Sequence, residues 1–445
     1  MGEQVWIFTA KERKMELPNS EAQPGKKNNC QKSMTVVEQK SAPLSRRRFI
    51  GGAAAGLALT VVPRHVLGGS GYTPPSEMIN IAVIGVGGQG IVNIKSLLQH
   101  EDARIVAIAD PAEETDYSNF YYRDPGGRVP TLKLLKEFSS QPGRSPFKDC
   151  AEYLDFRKML EKEKSIDAVL VATPDHVHAV AAMAALQLGK PVYCEKPLCH
   201  SVYETRKLTQ AARDAKVATQ MGNFGHSGEG IRLTCEWIWD GSIGPVHEVH
   251  AWSSDGLEYA FKDRPQETLP VPPTLDWDLW LGPAPYRPYH PDYVPYSWRG
   301  WWDFGTGAIG DMACHNLDPA FWALRLGYPT SVVASSSGGS DQTTPYAAVV
   351  HYEFPARGNL PPVKLHWYQG GIMPERPEEL EPGRKMGADG QGILFVGEEG
   401  KILCPGWAGN PRMIPETAMR AYKRPPKTLP RSNGHHRDWL DGCKG

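Results

Sequence analysis

Several groups of residues in this chain have types and spacings that could do chemistry. Gly85-Val86-Gly87-Gly88-Gln89-Gly90 has G-x-G-x-x-G spacing. In such a turn Gly85 permits the tight bend and Gly87 lets the backbone approach a pyrophosphate. Gly90 lets a following helix pack close, and Gly88 and Gln89 complete the loop that meets the phosphates. Asp110 stands twenty residues past Gly90. A carboxylate there accepts hydrogen bonds from ribose hydroxyls and repels a 2′-phosphate, so NAD is expected rather than NADP. Asp311 and His315 are four apart. If that stretch is helical they share a face, and the carboxylate can orient and charge-stabilise an imidazole acting as general base. Asp311 as a ligand of the substrate stays open. The aromatic-dense stretch 286–304 carries Trp298 and Arg299. Aromatic faces beside hydrogen-bonding groups suit a sugar ring, which makes both candidate substrate contacts. The same density also suits a loop packed on its own aromatics.

These groups need elements to hold them. Met78–Ile84 is a short β-branched apolar run that reads as a buried parallel strand, and Ile91, Ile94, Leu97 and Leu98 mark a helix face directly after the glycines. Apolar runs at 104–109, 166–172, 190–194 and 217–221 read as further strands, with helices over 151–163, after 178 and over 201–215. The expected fold is α/β: a doubly wound parallel Rossmann sheet over 78–222. Residues 111–148 read as a surface insertion. After Met221 the pattern changes. A polar, Gly-rich connection containing His226, a further candidate substrate contact, leads to a helix and then to alternating runs at 244–252, 347–354 and 363–368. That predicts a C-terminal α+β domain over 223–445, with an open, mostly antiparallel sheet.

Three motifs occur in order: Gly85-x-Gly87-x-x-Gly90, Ala172-Thr173-Pro174-Asp175-x-x-His178 and Glu195-Lys196-Pro197-Leu198. Together they resemble the Gfo/Idh/MocA family of NAD(P)-dependent sugar and cyclitol oxidoreductases, from residue 78 to about 440. The resemblance implies cofactor contacts from Thr173, Pro174, His178 and Glu195. It places Lys196 between the nicotinamide and the reacting hydroxyl, with a lowered pKa. It also matches Asp311-x-x-x-His315 to a Lys–Asp–His constellation, in which His315 or Lys196 takes the hydroxyl proton. His176 reads as a helix-start capping residue. The family's second sheet is a usual oligomer contact, so a homo-oligomer is implied. Family members similar at 435–440 continue further, which leaves open whether the chain is C-terminally incomplete.

Composition narrows the rest. The chain has 445 residues, 40% of them hydrophobic and 22% charged, with a net charge of −1. That excludes a mostly disordered or multispan membrane protein. Residues 1–48 hold ten Lys/Arg against five Asp/Glu, which leaves the remainder at −6. No nucleic-acid partner is expected of such a remainder. Residues 1–77 read as an unstructured N-terminus, a signal and a linker. Ser45-Arg46-Arg47-Arg48-Phe49-Ile50 and the short apolar run to Val62 resemble a twin-arginine (Tat) signal, too short to span a bilayer. Periplasmic export follows as the expectation, and a retained signal anchor stays open. Eight cysteines without C-x-x-C spacing point to buried thiols rather than zinc or a disulfide scaffold. No metal is expected, since His315 lacks a clear ligand set.

The expected activity is hydride transfer between a sugar or cyclitol secondary alcohol and a tightly held nicotinamide cofactor. Outside the cytoplasm a released cofactor is not readily replaced, which favours regeneration within one catalytic cycle. One alternative is an NAD-dependent glycosidase or lyase that oxidises and re-reduces its sugar. Another is a non-enzymatic NAD-binding sensor.

Overall fold

The computed structural model of the chain describes residues 6–7, 74–142, 149–254 and 263–445. The Tat-like segment lies outside the described residues. Among those described, no helix is long and apolar enough to cross a membrane.

The first sheet has strands β1 (Ile79–Ile84), β2 (Ala103–Ala109), β3 (Ala151–Tyr153), β4 (Ala168–Val171), β5 (Val192–Cys194) and β6 (Thr219–Met221). Their order is β3-β2-β1-β4-β5-β6, and every pairing is parallel. The connecting helices are α1 (Gly88–Leu97), α2 (Arg128–Ser139), α3 (Phe156–Lys162), α4 (Asp175–Gln187) and α5 (Val202–Ala215). Both faces are covered, so β4 is apolar at every position rather than alternating. Ala82 and Ile84 pack on one side with Val169, Val171 and the small residues of α4. Ile81 and Val83 pack on the other with Ile94 and Leu97. The strand order reverses between β1 and β4, which opens a crevice at their carboxyl ends. The expected helix over 151–163 divides. Residues 151–153 pair with β2 as the edge strand, and Asp155 caps α3 by accepting from the Arg157 N–H.

The second sheet follows α6 (Glu229–Trp239). Its strands are β7 (Val246–Ser253), β8 (Ser331–Ser337), β9 (Ala347–Phe354), β10 (Val363–Gln369), β11 (Gln391–Gly397), β12 (Lys401–Pro405) and β13 (Arg412–Ile414). The order is β8-β9-β10-β7-β11-β12-β13, with Trp6–Ile7 antiparallel to β8 at the edge. That pairing departs from the expectation of an unstructured start. Every pairing is antiparallel except β10 with β7. Val249, Ala251, Leu365 and Trp367 face the helices and share a core with Trp237 and Ala320. Alternation sends Glu248, His250 and His366 to the opposite face.

The last helix, His435–Lys444, was grouped by sequence with the second domain but packs on the first. Trp439 and Leu440 are fully buried with Ile81, Ile94 and Leu97, and Arg437 meets Asp102 at 2.8 Å. This helix carries part of the protein's acid sensitivity. Burial is the main cause pushing His176 and His435 down to about 4 and His436 to about 3. The unfolded chain binds protons at these sites below about 6.5, whereas the folded chain excludes them. Stability is therefore full above pH 6.5. It falls as the pH drops toward 4, by about 1.4 kcal/mol per pH unit per histidine. Urea unfolding at pH 7 and pH 5 checks this; equal midpoints would show that these rings are not held neutral.

Candidate functional site

The carboxyl ends of β1, β4 and β5 open into a cavity of about 1470 Å³ that both domains line. That is larger than a pocket for one drug-sized ligand, so a dinucleotide and a second molecule fit together. Its floor is the loop from β1 into α1. Gly85 has φ +84°, and a Cβ there would meet the Ala172 carbonyl oxygen at 2.6 Å. A Cβ at Gly90 would collide with the Gly85 carbonyl. Gly85, Gly87, Gly88 and Gln89 line the cavity, whereas Gly90 stands behind them. The Asp110 carboxylate accepts from the Val86 and Ala112 N–H groups, both at 2.8 Å, which ties the loop to the end of β2. Burial raises its pKa. Each of its oxygens keeps a lone pair for a ribose hydroxyl.

Residues 111–142, the described part of the expected surface insertion, do more than cover the surface. Tyr117, Tyr121 and Tyr122 lie over the glycine loop, and the Gly88 N–H donates to the Tyr117 hydroxyl. That hydroxyl holds a donor of the kind a phosphate would take. Phe120 stacks on Tyr296 at 4.7 Å, joining this strap to the aromatic segment of the second domain. The only sequence sign was the aromatic density of 117–122.

Thr173, Pro174, Glu195 and Lys196 line the cavity from the ends of β4 and β5. Glu195 accepts from Asn93 at 2.8 Å and from Tyr193 at 3.4 Å, and burial raises its pKa. Lys196 Nζ meets Asp311 Oδ1 at 2.5 Å and the Asp311 carbonyl at 2.8 Å. Arg299 Nε lies 3.7 Å from the same carboxylate. Burial works to raise the Asp311 pKa, but Lys196 and Arg299 overrule it and hold it far below the usual carboxylate range. Burial likewise works to lower the Lys196 pKa, and Asp311 reverses the sign, so it is raised rather than lowered as expected. Lys196 is therefore an ammonium at neutral pH.

The Asp311–His315 relation also differs from expectation. Ile309–Ala313 forms a π turn before the helical turn Cys314–Asn316, and Asp311 and His315 both line the cavity. Asp311 orients Lys196, and no hydrogen bond joins it to His315 among the described contacts. Both ring nitrogens of His315 are buried without a hydrogen-bond partner among the described residues. Its ring stacks on Trp407 at 3.8 Å, and both line the cavity. Burial, then Lys196, lowers the His315 pKa far below the ordinary value. The buried Asn316 side chain accepts the backbone N–H of Trp407 at 2.9 Å and so anchors the turn that carries that ring. Reasoning from sequence missed Trp407, whose only local signal is its place between Gly406 and Gly409.

Arg299 is sandwiched between Tyr296 and Trp298, its guanidinium 4.4 and 4.3 Å from the ring centroids. All three line the cavity, while Trp277, Tyr293, Trp301 and Phe304 form a core of their own. Both readings of the aromatic stretch therefore apply, and Trp298 belongs to both sets, packed in that core and lining the cavity. Asp175, also missed, lines the cavity and accepts from Thr306 Oγ1 at 2.7 Å.

Three histidines lie elsewhere than expected. His178 is buried with its ring nitrogens 2.7 and 2.8 Å from the carbonyls of Pro197 and Thr173, where it clamps two loops rather than facing the cofactor. His176 bridges the carbonyls of Phe304 and Trp280 instead of capping α4. His226 pairs with Asp318 at 2.9 Å and stacks on Trp322, away from the cavity-lining residues. Its position on the short turn Phe224–Ser227 aims it at the helix Asp318–Ala323.

Comparison with known proteins bears on both domains. Residues 79–223 match the oxidoreductase family described as an NAD-binding Rossmann fold. Residues 240–346 match the same family's C-terminal alpha/beta domain. A levoglucosan dehydrogenase of Pseudarthrobacter phenanthrenivorans is 25% identical over 201 residues, 42% of each chain. A myo-inositol 2-dehydrogenase of Thermotoga maritima is 24% identical over 200 residues, 45% of this chain and 48% of that one. The chain thus spans less than half the length of these relatives. The crystal structure of the WlbA dehydrogenase from Bordetella pertussis, in complex with NADH and UDP-GlcNAcA, covers 83% of this chain and 89% of its own. At a TM-score of 0.51 and 18% identity, that likeness speaks to the fold alone. With both domains matched in order around one cavity, the chain belongs to the Gfo/Idh/MocA oxidoreductase family, and its first domain is an NAD-binding Rossmann fold.

Proposed function

We propose that the protein is an NAD-dependent oxidoreductase acting on a secondary alcohol of a sugar or cyclitol. The observation that carries this reading is the convergence of the glycine loop, the Lys196–Asp311 pair and the unpartnered His315 on one cavity. The glycine loop, Asp110, Thr173 and Glu195 would hold the cofactor. When bound, its nicotinamide exchanges a hydride with the carbinol carbon. Lys196, kept charged by Asp311, donates a hydrogen bond to the substrate oxygen and stabilises negative charge developing there. His315, kept neutral by burial, takes the hydroxyl proton on an open ring nitrogen. Arg299 offers fixed donors to neighbouring hydroxyls, and Trp298 and Trp407 offer faces for the ring. The relatives' names, levoglucosan dehydrogenase and myo-inositol 2-dehydrogenase, agree with this substrate class.

The aromatic strap favours a second reading on the same machinery. A loop folded over the phosphate cradle slows cofactor exchange, which suits a cofactor reduced and reoxidised in one cycle. Glycosidic cleavage through a transient ketone then leaves no net redox change. Phe120→Ala should speed cofactor release roughly two- to twelve-fold, the equivalent of one aromatic stack at about 0.5–1.5 kcal/mol. Stopped-flow NADH fluorescence measures this, and an unchanged rate would separate the strap from retention.

One experiment tests the function. Protein purified without added nucleotide is denatured and its NAD(H) and NADP(H) are quantified, while native protein is incubated with a panel of sugars, cyclitols and glycosides. Bound NAD(H) with a keto-product supports net oxidation. Bound NAD(H) with a cleaved glycoside and constant NADH supports the redox-neutral cycle. Protein that neither holds nor binds NAD, and transforms nothing in the panel, refutes both.

A further inference from the structure

The face of the second sheet turned away from its core carries a cluster that the proposed reaction does not use. His351 on β9 stands directly opposite His366 on β10, and His366 stands opposite His250 on β7. Three imidazoles therefore form one row across three adjacent strands. Glu248, two residues before His250, joins them on the same face. Its Oε1 lies 3.0 Å from His366 Nε2 and 3.3 Å from His250 Nε2. Ligand atoms of Glu248, His250 and His366 all fall within 4.8 Å of one another. The two rings are 18% and 13% exposed, partly dehydrated yet reachable from solvent.

We propose that Glu248, His250 and His366 form a binding site for a divalent transition-metal ion of the zinc class. Zinc–nitrogen bonds of ~2.0–2.1 Å set tetrahedral ligands about 3.3 Å apart, close to the separations found between Glu248 and the two rings. The outer contacts suit the same purpose. His366 Nδ1 meets His351 Nδ1 at 2.5 Å, and His250 Nδ1 meets the Tyr368 hydroxyl at 3.1 Å. A histidine whose far nitrogen is held by a second group has its near nitrogen fixed in tautomer and direction, which is how ligating histidines are commonly supported. His351 thus acts through His366. In the metal-free protein the two Nε2–H groups satisfy the carboxylate. On ligation each ring shifts its proton to Nδ1, toward His351 or the Tyr368 hydroxyl, and turns the Nε2 lone pair to the ion. Lys364 and Lys401 lie close enough to oppose a cation, although Lys401 is paired with Glu379 at 2.7 Å. Two imidazoles and one carboxylate leave a coordination position open to water or to an outside ligand. None of the four residues is among those lining the dinucleotide cavity, so the site stands apart from the proposed chemistry.

The test uses the whole protein, stripped with a chelator and dialysed. It is titrated with Co²⁺ while the visible absorption of low-coordinate cobalt is followed, and with Zn²⁺ followed by elemental analysis. One ion per chain is expected. His366→Ala and, separately, Glu248→Gln should each weaken binding at least tenfold. His247→Ala, on the exposed neighbouring histidine, should not, and NAD binding should be unchanged in all three. Less than a tenth of an equivalent bound, or binding that survives both ligand substitutions, overturns the proposal.

Discussion

Replacing Lys196 by methionine should lower turnover by about 10²–10⁴-fold while leaving the bound cofactor in place. The ammonium is held by two contacts to Asp311, at 2.5 and 2.8 Å, and is nearly buried. Methionine fills similar volume but cannot donate a hydrogen bond to the substrate oxygen. It also leaves Asp311 as a buried carboxylate with Arg299 as its remaining partner, at 3.7 Å. Breaking a buried pair costs about 3–5 kcal/mol in general, and the remaining arginine should keep the cost below that range. The measurement is kcat together with cofactor content and thermal midpoint. Full turnover in a folded, cofactor-loaded variant would remove Lys196 from the chemistry. Asp311→Asn gives the companion result, with a partial loss, because Lys196 remains but is no longer fixed by a charge.

His315→Asn should produce a loss of similar size and should also change the pH profile. The wild-type imidazole is neutral down to a pKa far below 6.5, chiefly through burial. The base is therefore ready across the neutral range, and activity is lost only as the pH falls through that depressed value. The asparagine variant lacks this acidic limb. A profile that instead climbs through alkaline pH would make deprotonated Lys196 the base and His315 a bystander. The two outcomes differ in direction, so the assignment does not depend on the size of the rate loss. Trp407→Leu should leave the same limb but weaken substrate positioning, since its ring sets the plane of the imidazole at 3.8 Å.

Local patterns carried much of the architecture. The glycine loop was readable because its function depends on backbone conformation and close approach, and the strand before it and helix after it are adjacent in the chain. The same holds for Asp110 at the end of the next strand and for Thr173, Pro174, Glu195 and Lys196 at strand ends, where a doubly wound sheet gathers its ligands. His178 shows the limit. Its place at the start of α4 was legible, but whether the ring faces the cavity or the Pro197 carbonyl depends on helix rotation and on the loop that follows β5. A four-residue spacing likewise brought Asp311 and His315 to one cavity, but it could not show that Asp311 pairs with Lys196 while His315 stacks on Trp407.

By itself the sequence determined the two-domain α/β plan and the dinucleotide cradle, because each rests on residue type and short-range periodicity; the parts of Lys196 and Asp311 came from the resemblance that their motifs carry. Only the tertiary structure decided what those groups touch. It paired Lys196 with Asp311, set Trp407 under His315, folded Tyr117–Tyr122 over the glycines and carried the last helix back onto the first domain. It also aligned His250, His351 and His366 in one row. These contacts join segments far apart in the chain, and their geometry follows from strand register and side-chain packing, which single-chain spacing does not encode.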